Sequence, residues 1–251
     1  TRVISDFAEW KNEVEWPDLS CVDFAADGKK LQSRLDPERA HIFECTEGVF
    51  ERLHEMMPFD EYLLAFYEEP ELLEEFFQKM ADYKIEVCQK VFENYGVVDG
   101  VLYHDDWGTQ RGGFFSNEMF REQIMPATRR IMDYIKSQGK YIELHSCGKN
   151  IQYVPEMIEL GIDMWTPQVG INEPDFLVAT YGDRMTFAFD MPIAPEATEA
   201  QIRQQTRDFV DRFGAKGRVM CWIMGTPEQS AIANDELYTY SSAYYKKLYN
   251  R

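Results

Sequence analysis

Apolar and polar residues alternate along KYIELHSCGKN (residues 140–150). Ile142 and Leu144 fall on one parity, and Glu143, His145 and Cys147 fall on the other. Side chains of an extended strand repeat with a period of two. The stretch therefore predicts a strand with one face for packing and one carrying polar ligands. Other short β-rich runs lie at 40–45, 97–105, 162–166, 185–190 and 218–223. Between them the apolar spacing becomes helical, with matching start and stop signals. Pro70 opens a long helix that stops at Gly96. Ser116 caps one running towards Gly139, broken or bent at Pro126, which has no N–H to give to the ladder. Thr198 caps another that ends at Gly214. A last helix is expected from Asp235 to about Tyr249, with Tyr238, Tyr245, Leu248 and Tyr249 as its stripe.

Strands alternating with helices of this size predict an α/β fold with parallel strands, either a doubly wound sheet or a (β/α)8 TIM barrel. No glycine-rich phosphate loop follows any strand, which favours the barrel. Six strands are found where a closed barrel has eight, and the first forty residues read as helix and loop. The expectation is one barrel domain over 1–251 that lacks the N-terminal strand or strands of the full fold. A length of 251 residues with 45% hydrophobic and 14% aromatic content is enough for a barrel core. The net charge of −18 speaks against nucleic acid or an anionic membrane as partner. No apolar run reaches a membrane span, and the opening TRVISDFAEW has no signal-peptide core. Five scattered cysteines argue against a disulfide framework and for a reducing, cytoplasmic setting.

Two constellations carry candidate chemistry. His145 and Cys147 end a strand at its C-terminal side, where barrel enzymes place their active sites, and Cys221 lies near the same end of the last strand. Two thiolates and an imidazole suit Zn2+, and three protein ligands with an open fourth position describe a catalytic site. Glu143 reads as a fourth ligand, as support behind the ligands, or as a buried partner for an arginine. The plain alternative for Cys147 and Cys221 is that both are small buried hydrophobes. In LYHDDWGTQRGGFFS (102–116), an apolar strand runs into His104, Asp105 and Asp106. Adjacent carboxylates at a strand end can act as general base, substrate anchor or metal ligand, or simply shape a turn. Only one of the two can face the barrel axis, and alternation from Val101 and Tyr103 points to Asp105. Asp190 is a further candidate of this kind.

The segment from HDDWGTQRGG through ELHSCGKNIQYVPEM resembles the centre of the uroporphyrinogen decarboxylase superfamily. Within it, the chain is most similar to the zinc-dependent, corrinoid-linked methyltransferase branch, of the methylcobalamin:coenzyme M methyltransferase type. FECTEGVFERLHEMM upstream, and YGDRMTFAFDMPIAPEAT and NDELYTY downstream, extend the resemblance weakly. It implies a (β/α)8 barrel with zinc on His145, Cys147 and Cys221, and it adds weight to Asp105 and Asp106. It further implies methyl transfer between a corrinoid (methylcobalamin) held on a partner protein and a small thiol or methylated substrate. The arginine-rich N-terminal signature of the true decarboxylases is not found. A metal-free decarboxylase of a porphyrinogen-like polycarboxylate is the second expectation, with Arg111 as its nearest cation. A non-catalytic barrel braced by zinc is the third.

Overall fold

The computed structural model describes residues 2–250. Helices and strands alternate along the chain. The helices are α1 Trp10–Glu13, α2 Phe24–Gln32, α3 Val49–His54, α4 Phe59–Glu68, α5 Pro70–Asn94, α6 Asn117–Met119, α7 Met125–Ser137, α8 Val154–Glu159, α9 Pro174–Tyr181, α10 Glu199–Phe213 and α11 Pro227–Leu248. The strands are β1 Ile42–Cys45, β2 Gly100–His104, β3 Tyr141–Ser146, β4 Met164–Pro167, β5 Thr186–Pro192 and β6 Val219–Met224. The chain forms two compact units, the first ending at Asp163 and the second beginning at Met164.

In the first unit β2 pairs in parallel with both β1 and β3, in the registers Cys45↔Tyr103 and His104↔His145. Val101, Tyr103, Ile142 and Leu144 are all fully buried. Helix α5 starts at Pro70, whose missing N–H costs nothing in a first turn. It buries Leu73, Phe76, Phe77, Met80, Ala81, Lys84, Cys88 and Val91, a helical stripe. The opening residues pack on this helix, with the Trp10 ring edge-on to Phe76 at 5.2 Å. The bend expected at Pro126 takes a definite form. Residues Phe120–Ile124 make a π-helical turn, in which Met125 N–H donates to Phe120 O, and α7 continues from there. Ser116 caps the whole run by accepting from Met119 N–H at 3.1 Å.

In the second unit β5 pairs in parallel with β4 and β6. Helices α10 and α11 both begin with a capping box, Thr198 with Gln201 and Thr226 with Gln229. Helix α11 therefore starts at Pro227 and not at Asp235. The sequence TPEQ is itself a start signal, upstream of the tyrosine stripe. That stripe is largely exposed. The two helices are clamped by ion pairs: Arg203 reaches Asp235 and Glu236, and Arg207 reaches Glu236 at 2.6 Å, while Glu199 steadies Arg203 from within α10.

Candidate metal centre at the ends of β2 and β3

The parallel register fixes which side chains share a face. His104 lies opposite His145, so Leu102, His104 and Asp106 share the face of Glu143, His145 and Cys147. The two imidazole rings stack, with centroids 4.9 Å apart and planes 15° apart. His104, Asp106 and His145 each offer a ligand atom within 4.8 Å of the others, and all three are half-buried. His104 Nε2 lies 3.4 Å from Asp106 Oδ1. Cys147 borders the group, its Sγ 3.3 Å from His145 Nε2. Glu143 is buried one pleat deeper on this face.

Two loops hold the arrangement. Cys147 N–H donates to Asp106 Oδ1 at 2.6 Å, tying the end of β3 to the loop after β2. Trp107 N–H donates to Ser146 Oγ, and Asn150 Nδ2 donates to both Ser146 Oγ and Cys147 O. Gly148 sits at φ +96°, where an added Cβ would lie 2.3 Å from the carbonyl carbon of Gly108. Only glycine permits that approach without shifting the loops. The Cys147 thiol is pushed up to about 11 by burial and by the Asp106 charge. A bound cation would reverse that tendency, because thiols ligate metals as thiolates.

Asp105 has a different place from the one expected. Asp105 does share a face with Val101 and Tyr103, but that face is turned away from His145. Tyr103 and Asp105 meet the start of α3, and Asp106 takes the position beside His145. Asp105 is fully buried. It accepts from the backbone N–H groups of Glu51 at 2.8 Å and Phe50 at 3.3 Å, in the first turn of α3. Burial pushes its carboxyl up to about 7, against the pull of the Glu51 N–H. A Cβ on Gly48 would strike this carboxylate, which accounts for glycine at the start of α3.

Cys221 lies in the second unit. On β6 it shares a parity with Val219 and Ile223, and it packs against Met191, Ile193, Ile202 and Ala233 in an apolar cluster. Its Sγ is 4.0 Å from Met191 Sδ, and burial pushes the thiol up to about 12. Met220, Trp222 and Met224 occupy the opposite face of the strand and are exposed. Asp190 is exposed. Two residues outside the expected ligand set join the site. His104 stands beside the two carboxylates in HDD, and only the register with β3 marks it as a ligand. Glu51 comes from α3, and its Oε2 lies 3.0 Å from His104 Nδ1. No local pattern marks Glu51, since only the fold brings α3 to the end of β2.

The donor set fits a divalent transition metal. Two imidazoles and a carboxylate, with a thiol at the margin, are Zn2+-type ligands, and a carboxylate behind one imidazole is the usual support. Residues 27–231 match the family described as uroporphyrinogen decarboxylase (URO-D). The chain belongs to that family. Among solved structures it is similar to a methyltransferase from Methanosarcina mazei, at 13% identity and a TM-score of 0.67. That match covers 88% of this chain and 64% of the other, so this chain spans less than two thirds of the methyltransferase's length. At this identity the likeness concerns the fold, which is that of a partial (β/α)8 barrel. A Xaa-Pro dipeptidase with bound methionine matches at 12% identity and a TM-score of 0.35, covering 90% of this chain and 49% of the other. A tryptophan synthase from M. tuberculosis matches at 9% and 0.34, covering 87% and 95%. Scores this low carry no argument about fold. No curated protein matches the sequence. Among the described residues, no helix is long and apolar enough to cross a membrane.

Proposed function

We propose that the chain is a zinc-dependent methyltransferase domain of the corrinoid-linked kind, acting over 1–251 as one domain. It would move a methyl group between a corrinoid on a partner protein and a small thiol or methylated substrate. The observation that carries this reading is the convergence of His104, Asp106 and His145, with Cys147 beside them, at the C-terminal ends of neighbouring parallel strands. These residues would hold the metal, and Glu143 remains a candidate ligand beneath them. Cys221 is assigned to packing between β6 and its helices. When bound, zinc would lower the pKa of a substrate thiol or act as a Lewis acid on a departing heteroatom.

The protein's own groups do the positioning. Asp106, fixed by Cys147 N–H, keeps its oxygen beside His104 Nε2, where it would share the metal with the two imidazoles. The stacked histidines leave little rotational freedom at either ligand. The corrinoid would arrive on a separate protein, and the net charge of −18 favours a partner with a basic face. A polycarboxylate decarboxylase is less well supported. Arg111, its expected cation, is exposed on the loop after β2, and the charged groups nearest His104 are Glu51 and Asp106.

The test is transfer from free methylcobalamin to a small thiol, followed by the change in cobalamin absorbance. Zinc-loaded protein should accelerate the reaction, and His145→Ala should not. Equal rates with and without protein would count against the reading. Loss of carboxylates from a porphyrinogen by metal-free protein would favour the decarboxylase.

A further inference from the structure

Besides Asp106, which the proposed function already uses, a second carboxylate touches the candidate metal centre. Glu51 lies across the His104 ring from Asp106. Its Oε2 is buried and makes no aligned hydrogen bond, but it lies in ion-pair contact with His104 Nδ1 at 3.0 Å, while Nε2 faces Asp106 at 3.4 Å. The residue is not a loose surface acid that happens to reach a histidine. Helix α3 is pinned at its start by three contacts from the end of β2. Gly48 N–H donates to His104 O at 2.7 Å, Val49 N–H donates to the Tyr103 hydroxyl at 3.0 Å, and Glu51 N–H donates to buried Asp105. The strand that carries His104 therefore also fixes the backbone from which Glu51 reaches back to its ring.

We propose that Glu51 is a positioning residue: its carboxylate keeps the proton of neutral His104 on Nδ1, so that Nε2 is presented to the metal together with Asp106 and His145. The inference rests on the metal centre proposed above. A carboxylate next to one imidazole nitrogen fixes the ring's tautomer and orientation and makes the other nitrogen a better ligand. Without it, the Nε2–H form prevails in a free imidazole exposed to water, and a proton must move before Nε2 can ligate. Asp105 acts one step further back, by holding the α3 turn that carries Glu51.

The test uses Glu51→Ala and Glu51→Gln in the full chain. The tautomer of His104 is read by 15N–1H NMR of the metal-free protein at a pH where the ring is neutral. The chain has four histidines, so assignment is tractable. Zinc affinity is read separately, by competition with a chromophoric chelator. The wild type should show the proton on Nδ1. Glu51→Ala should populate the Nε2–H form and weaken zinc binding by about 10–100-fold. Glu51→Gln keeps an acceptor oxygen and should retain the tautomer and most of the affinity, an outcome that separates orientation from mere folding. A wild-type tautomer in Glu51→Ala overturns the inference, whatever zinc does. Wild-type protein that binds no zinc overturns the metal centre itself, and the NMR arm shows that failure to be distinct.

Discussion

Replacing Asp105 separates two readings of that residue, chemistry at the site and support behind it. The side chain is fully buried and accepts two backbone N–H groups from the first turn of α3. Asp105→Ala leaves the Glu51 and Phe50 N–H groups without their acceptor. Asp105→Asn keeps one oxygen and removes the cost of burying a charge, which itself pushes the carboxyl up to about 7. The desolvation cost and the lost hydrogen bonds oppose each other in Asp105→Ala, so the comparison of Ala with Asn decides. An unsatisfied buried donor costs about 1–3 kcal/mol. In a domain of this size that is about 2–12 °C in Tm. The account predicts that Asp105→Asn melts near the wild type and Asp105→Ala lower by that interval, in metal-free protein followed by fluorescence. An alanine variant as stable as the asparagine variant would refute the argument, since the carboxylate would then not be holding α3.

Two other perturbations probe the frame. Gly148→Ala forces a side chain into a left-handed backbone and against Gly108, so it should cost at least about 1–3 kcal/mol in urea unfolding. It should weaken zinc binding too, because Cys147 N–H loses its register with Asp106. In the second unit, the Glu236 carboxyl is held below the usual glutamate value, chiefly by the Arg207 guanidinium beside it, and then by Arg203. A lowered acid contributes stability above its unfolded value and loses it as the pH falls through the folded one. The wild type should therefore exceed Glu236→Gln in urea midpoint near pH 7, and the gap should narrow as the pH falls below the ordinary glutamate range and through the lowered folded-state value. A gap that persists in acid would assign the difference to packing.

Much of the frame was legible in the sequence because it depends on local rules. The six strands, the caps at Ser116 and Thr198 and the disturbance at Pro126 all follow from periodicity and from side chains that compete with or lack backbone groups. The face of β3 carrying Glu143, His145 and Cys147 was equally local. What local rules could not supply was register. Whether Asp105 or Asp106 joins His145 depends on His104 lying opposite it, a fact about two strands and not one. The parity of Cys221 could be read, but the face that packs on α10 and α11 could not, because β6 alternates Cys221 and Ile223 with Met220, Trp222 and Met224, all apolar. Glu51 was beyond reach for a third reason, since a helix from elsewhere in the chain delivers it.

The central claim is that a metal is held by residues at the ends of β2 and β3. Elemental analysis of the wild type, His104→Ala, His145→Ala and Cys221→Ser tests it most directly, with folding checked by circular dichroism. The account predicts about one zinc per chain in the wild type and in Cys221→Ser, and little in either histidine variant. Zinc retained in folded His104→Ala but lost from folded Cys221→Ser would contradict it and return the metal to the cysteines.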